Sequence, residues 1–302
     1  MTTPLQIVDP HIHLWDLWTR IYPHFEKPSK GRSGSNAAIA RSYLLEEFLD
    51  EGGDAVEILG AVHVEALPTD AVKETETLQL VADSSPIPLV IVSNGDLTAP
   101  DFPALLDRHA HSPIFRGIRQ VVNRHDKPEY SYISRDLMAE PAFLTGLRTL
   151  GTRHLSFDLQ LYPHQMETAA RLASAAADTQ IILNHDGMWA DRDPAGWRQW
   201  KAGMRRLAER PNIAVKVSGF GMMDPNWTTE SIRPLVFETL DAFGIDRTMF
   251  ASNFPVDKLT SDYRAIWKSF SDVTASLASD ERAALFRDNA RRFYRVPASI
   301  AK

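Results

Sequence analysis

The sequence predicts an α/β protein, a parallel eight-stranded (β/α)8 barrel of TIM type built as one domain over residues 1–302, with a long loop after its first strand. Eight short runs rich in β-branched and apolar residues recur along the chain, and segments of helical spacing lie between them. A length of 302 residues is common for such barrels as a single unit. An open doubly wound sheet is the alternative, but the first strand is not followed by the glycine-rich turn that would support it.

The elements follow in order. The first strand, residues 5–13, carries "IVDPHIH" and ends on His11 and His13. The stretch 16–41 is aromatic at first and then rich in Lys, Gly and Ser, so it reads not as a crossover helix but as a lid-like insertion over the mouth of the barrel or a flexible surface insertion. Strands are then expected at 57–66, 87–94, 114–122, 154–161, 180–186, 212–219 and 247–254. Helices are expected at 42–53, 71–85, 102–111, 142–151, 166–178, 196–210 and 232–244. Strands alternating with helices imply parallel pairing through right-handed crossovers. A terminal helix at 282–296 places Leu285, Phe286, Ala290 and Phe293 on one face and closes the barrel.

Composition narrows the function. Hydrophobic residues make up 44% and charged residues 24%, as in ordinary globular proteins. A net charge of −6 argues against nucleic acid or an anionic membrane as partner. No apolar run reaches the roughly 18–20 residues that span a bilayer. The opening "MTTPLQIVDP" has neither the basic nor the apolar region of a secretory leader, so a cytoplasmic location is expected. The chain has no cysteine, so any metal site must use His, Asp or Glu. The expected partner is a small molecule, and homo-oligomerisation stays open.

In a barrel of this kind the polar residues at strand C-terminal ends are the candidates for chemistry. Side chains two apart on a strand share a face, so His11 and His13 project together. The sixth strand delivers His185 and the eighth Asn253, with Asp257 in the loop beyond. Three convergent imidazoles point to polarisation of a substrate or to metal binding. Arg119 on the fourth strand reads either as a clamp for substrate oxygens or as an ion pair with Glu65 or Asp158. Tyr162 follows the fifth strand as a substrate contact or a packed loop aromatic, and Lys216 on the seventh is a substrate contact or an interior charge. His63 reads as a structural hydrogen-bonding residue, and Trp15 and Trp18 as lid packing or a stacking surface.

The pieces "IVDPHIHLW", "GIRQ", "FDLQLYPHQ", "ILNHDG", "LAERPNIAVKVSGFGM" and "FASNFPVDKL" span nearly the whole chain. In this order they resemble the amidohydrolase superfamily, in particular its amidohydrolase-2 branch with sugar-lactone and 2-pyrone-4,6-dicarboxylate lactone hydrolases. The resemblance implies a barrel hydrolase that adds water to a carbonyl carbon. It carries the family's first-strand histidine pair onto His11 and His13 and its sixth-strand histidine onto His185. Many members hold one or two divalent metals with these ligands and an eighth-strand Asp. This chain has Asn253 there, and a neutral amide cannot take a proton from water.

The resemblance therefore implies a hydrolase of a carboxylic ester bond, with a small sugar-acid or carboxylated lactone as substrate. His11, His13, His185 and Asn253 are the catalytic candidates, and Arg119, Tyr162 and Lys216 the substrate-binding ones. The cofactor is none or one weakly held divalent ion, zinc by preference, on His11, His13 and His185. A decarboxylase of the same branch and a non-catalytic metabolite-binding barrel are the alternatives. The general base is open, with Asp257 and Asp186 nearest in sequence.

Overall fold

A computed structural model describes residues 3–31 and 34–300 of the chain. The barrel strands are β1 (Leu5–Ile12), β2 (Val56–Val64), β3 (Leu89–Asn94), β4 (Phe115–Val121), β5 (Ser156–Gln160), β6 (Ile181–Leu183), β7 (Ile213–Val217) and β8 (Thr248–Phe250). They pair in parallel in chain order. Just beyond β8 the chain turns back onto β1. The Asn253 N–H donates to the His11 carbonyl at 2.9 Å and the His13 N–H to the Phe254 carbonyl at 2.7 Å, which nearly closes the barrel.

The helices are α1 (Leu45–Asp50), α2 (Ala71–Asp83), α3 (Phe102–His109), α4 (Pro141–Thr152), α5 (Met166–Ala175), α6 (Pro194–Ala208), α7 (Phe220–Met223), α8 (Thr229–Phe243), α9 (Tyr263–Val273), α10 (Ser279–Ala283) and α11 (Asn289–Tyr294). Strands such as LVIVSN and IAVKV are buried along nearly their whole length, because helices cover the outer face and side chains fill the inner one. Alternate strand residues, among them Val8, Val62, Val90, Ile182 and Met249, pack with the C-terminal Tyr294 as one cluster. A larger cluster holds the opposite strand faces against the helices, with Trp200 and Trp267 fully buried in it.

Three details depart from the sequence reading. β6 and β8 stop several residues early, because the backbone turns left-handed at His185 (φ 53°), Asp186 (φ 53°) and Asn253 (φ 57°). Helix α9 fills a gap left unassigned, capped by Asp262 accepting from the Ala265 N–H and burying Ile266, Trp267, Phe270 and Val273. The terminal helix is interrupted by one wide turn at Ala284–Asp288, yet Leu285, Phe286 and Ala290 remain buried as the pattern requires.

Within the 16–41 insertion, positions 32 and 33 lie outside the described residues. The rest forms short single turns and a two-stranded ribbon, Lys30–Gly31 with Gly34–Ser35. It is fastened to the barrel at several points. Trp15 stacks on Phe25 with 3.8 Å between ring centroids, and the Thr69 N–H donates to the Ile21 carbonyl at 2.8 Å. The buried Tyr22 hydroxyl faces the Glu74 carboxyl of α2. Among the described residues no helix is long and apolar enough to cross a membrane.

Candidate active site

β1 is irregular where it matters. Its pairing with β2 shifts register between Ile7 and Asp9 and again between Asp9 and Ile12. Such irregularities re-aim side chains next to functional sites. Buried Asp9 holds this segment by accepting from the His11 N–H (3.1 Å), the Ser252 N–H (3.1 Å) and the Tyr263 hydroxyl (3.1 Å). Burial pushes the Asp9 carboxyl up to about 6 against these donors.

His11, His13 and His185 converge at the C-terminal end of the strands. The His11 ring lies 5.0 Å from that of His13 and 4.5 Å from that of His185, centroid to centroid. His185 is held in its left-handed turn by its Nδ1, 3.0 Å from the Ser218 hydroxyl. The neighbouring Gly219 has φ 70°, and a Cβ there would come within 2.7 Å of His185 Nδ1, so glycine keeps that ring in place. His13 Nδ1 lies 2.8 Å from the Val64 carbonyl and its Nε2 3.3 Å from Asn253 Oδ1. Both ring nitrogens of His11 are buried without a hydrogen-bond partner.

The electrostatics keep the three rings neutral. Burial is the first cause in each case. Lys216 and Arg119 add to it for His11 and His185, and Arg119 and His63 for His13, which falls to about 3. Neutral imidazoles retain both a lone pair and an N–H.

Above the rings opens a cavity of about 400 Å³, with His13, His185, Asn253, Arg119 and Gln160 at its polar end. The insertion supplies part of its wall through Phe25, Asn36 and Ile39. His11 lies beneath, fully buried.

The other candidates are placed as follows. Arg119 is buried in an ion pair, with Nε 2.5 Å from Glu65 Oε1, Nη2 2.8 Å from the Glu65 carbonyl and Nη1 3.2 Å from Gln160. It lines the cavity as well, and the acid it pairs with is Glu65 rather than Asp158. Lys216 does not face the cavity: it is fully buried and bound to Asp158 at 2.5 Å, which Tyr294 also contacts. Tyr162 is likewise away from it, with its hydroxyl donating to the Tyr130 carbonyl at 2.8 Å and its ring packed with Met188 and Ala190. Trp15 is buried in the packing of the insertion and Trp18 is exposed, and neither lines the cavity. His63 is structural, accepting from the Leu14 N–H at 3.0 Å.

Gln160 and Asp9 enter the site with no part in the sequence reading, while Ser218, a polar residue at the end of the seventh strand like Lys216, enters it as the partner of His185. Asp9 has a readable signal, since it lies two residues before His11. The partners of Gln160 and Ser218 come from other strands, and spacing along one strand does not reveal them.

The donor set does not make a metal site in this arrangement. Among the described residues no group of three or more His, Asp or Glu side chains has metal-holding geometry. His13 has both ring nitrogens engaged, and the nearby carboxylates of Asp9, Glu65 and Asp158 are already spent on protein partners.

The amidohydrolase family model matches residues 8–296, almost the entire barrel. The chain belongs to the amidohydrolase family. Among relatives of this amidohydrolase, the uncharacterized protein y4mH of Sinorhizobium fredii is 46% identical, covering 97% of this chain and 99% of that protein. An L-fucono-1,5-lactonase of Burkholderia ambifaria is 29% identical, covering 96% of this chain and 95% of its own. Among solved structures, an amidohydrolase of Burkholderia multivorans with bound HEPES superposes with a TM-score of 0.79 at 25% identity, over 97% of this chain and 100% of that one. A second crystal form of a B. multivorans amidohydrolase contains bound zinc, again with TM-score 0.79 but 24% identity.

Proposed function

We propose that this amidohydrolase hydrolyses a small lactone, a carboxylic ester closed into a ring, of the sugar-acid or carboxylated type. The observation that carries the reading is the convergence of three neutral imidazoles with Asn253 at the polar end of an otherwise largely apolar, substrate-sized cavity. The similarity to an L-fucono-1,5-lactonase supports the substrate class.

Water adds to the ring carbonyl carbon, and the ring C–O bond then breaks to give a hydroxy acid. His185 has Nδ1 on Ser218 and so offers Nε2 to the cavity. It accepts the proton from water and returns one to the leaving alkoxide. Asn253 lines the position where the oxyanion develops, beside His13 and above His11, and a well-placed donor there contributes on the order of a hundredfold in rate. Arg119 has five N–H groups and uses three on Glu65 and Gln160, leaving two to orient substrate oxygens. A divalent ion on His11, His13 and His185 would be held weakly at most, because His13 would have to give up its Asn253 contact and no carboxylate among the described residues joins the three in a metal-holding group.

A pH-indicator assay across sugar lactones, pyrone carboxylates, amides and phosphate esters tests this. The expected result is hydrolysis of lactones, with amides and phosphate esters inert. Decarboxylation or amide cleavage with no lactone turned over overturns the assignment, and inertness on all of them points to a binding protein. Elemental analysis of protein purified without added metal is expected to find well under one equivalent of zinc. A full equivalent that survives dialysis against chelator contradicts weak binding.

A further inference from the structure

Two of the described residues that line the cavity carry a fixed charge, Arg119 at its polar end and Glu129 on the exposed loop after β4. Arg119 is already balanced, with Nε 2.5 Å from Glu65 Oε1 and both side chains buried. Glu129 has no ion pair among the described residues. The cations beside the cavity face acids of their own. Lys127 Nζ lies 3.7 Å from Asp191 Oδ1, and Lys258 Nζ lies 3.1 Å from Glu47 and 2.5 Å from Glu51. The net charge that a ligand meets is therefore that of one unopposed carboxylate.

The loop that carries Glu129 is braced rather than loose. Glu129 sits in a single turn, Pro128–Tyr130, followed directly by Ser131 and Tyr132, which also line the cavity. Ser131 Oγ accepts from the His125 N–H at 2.9 Å and donates to the His125 carbonyl at 3.0 Å, and the Tyr132 N–H donates to the Asn123 carbonyl at 2.9 Å. His125 Nε2 lies 3.3 Å from Asp191 Oδ2 in the loop after β6. Tyr162, turned away from the cavity, donates its hydroxyl to the Tyr130 carbonyl at 2.8 Å, which ties the turn to the end of β5.

A carboxylate on the substrate meets two costs here. Phe25, Ile39, Leu67, Met222, Val256 and Leu259 line the cavity without a side-chain donor, so water lost from the carboxylate is not replaced. A cavity of about 400 Å³ also keeps any ligand within about 8 Å of Glu129, the Debye length at physiological salt, so the repulsion is poorly screened. A hydroxyl meets neither cost, since it donates to Glu129 and accepts from the N–H groups that Arg119 has left. We propose that Glu129 is a specificity-determining residue that admits uncharged, hydroxylated lactones and rejects carboxylated ones. The inference rests on the lactonase reading and narrows its substrate class.

Calorimetric titration with two lactams tests it, because ring amides are expected to bind without being cleaved. One is a polyhydroxylated six-membered lactam, and the other is the same ring bearing a carboxylate. The wild type is expected to bind the uncharged lactam at least about tenfold more tightly. Glu129→Gln should close most of that gap by tightening the carboxylated ligand, and Glu129→Lys should reverse it. In the wild type, raising salt from about 0.05 M to about 0.5 M should narrow the gap, a readout that needs no variant. Failure of the uncharged lactam to bind, an equal or inverted preference in the wild type, a gap that survives Glu129→Gln, or one that salt does not move overturns the proposal. The expected gap with no lactone hydrolysed removes the lactonase reading and leaves the selectivity in place. Carboxylated and uncharged lactones hydrolysed with equal kcat/KM remove the selectivity alone.

Discussion

His11 illustrates at the residue scale how the site trades stability for chemistry. Its ring is fully buried and neither nitrogen has a partner. A buried donor or acceptor left unmade costs about 1–3 kcal/mol, and folding tolerates this where function needs the group. His11→Phe, which fills similar space without polar atoms, is therefore expected to melt at or above the wild-type temperature while lactone hydrolysis falls at least about a hundredfold. A melting temperature well below wild type would show that His11 is structural. Arg119 behaves in the opposite way. Removing it strands the Glu65 carboxylate, which would keep only the Leu67 N–H at 2.7 Å. Breaking a buried pair from one side costs about 3–5 kcal/mol. Arg119→Met should lose about that much in urea unfolding, and the Glu65→Gln/Arg119→Met double variant should recover most of it. Equal losses in both variants would contradict the pairing.

At the scale of elements, the barrel strands are readable to within a few residues because parallel strands covered on both faces leave long β-branched runs in the sequence. The ends of β6 and β8 are not readable in the same way. His185, Asp186 and Asn253 adopt left-handed backbone that nothing in their residue types requires, so the runs look longer than the strands are. Helix α9 is missing from the sequence reading although Ile266, Trp267, Phe270 and Val273 recur at helical spacing. Side-chain partners were the least accessible. Lys216 and Asp158 both sit on strands as polar interruptions, and only the barrel brings β5 and β7 side chains within 2.5 Å of each other. The insertion that walls the cavity depends on comparable contacts, in particular Tyr22 with Glu74 of α2. Tyr22→Phe removes the hydroxyl that faces Glu74, so amide exchange across the described part of 16–31 should speed up and KM should rise with kcat little changed. Unchanged exchange there would show that the Trp15–Phe25 stack holds the insertion unaided.

For the molecule as a whole, burial of many titratable groups sets how stability depends on pH, and two sets of groups pull in opposite directions. Glu74, Asp186 and Asp257 are each lifted by burial to about 7. Their folded values lie above their unfolded ones, so the stability they contribute is complete below about pH 4 and is lost as the pH rises through about 7. Asp9, at about 6, acts the same way over a narrower window. The histidines do the reverse. His13 and His63 are held near 3, and His11 and His185 are lowered too, again mainly by burial. Their contribution is present above the unfolded value of about 6.5 and is lost as the pH falls toward about 3, because the unfolded chain binds protons that the folded one refuses. Around about pH 6–7 the two trends cancel, so the melting temperature should pass through its maximum there and fall on both sides. Asp186 offers the sharper check. Its Oδ1 accepts from Thr239 at 2.6 Å while Oδ2 has no partner, so Asp186→Asn keeps the first contact and removes the ionisation. That variant should flatten the alkaline limb and leave the acid limb unchanged. A wild-type melting temperature that climbs steadily from pH 5 to pH 9, or an acid limb that moves with Asp186→Asn, would show that the buried histidines and carboxyls do not govern the profile.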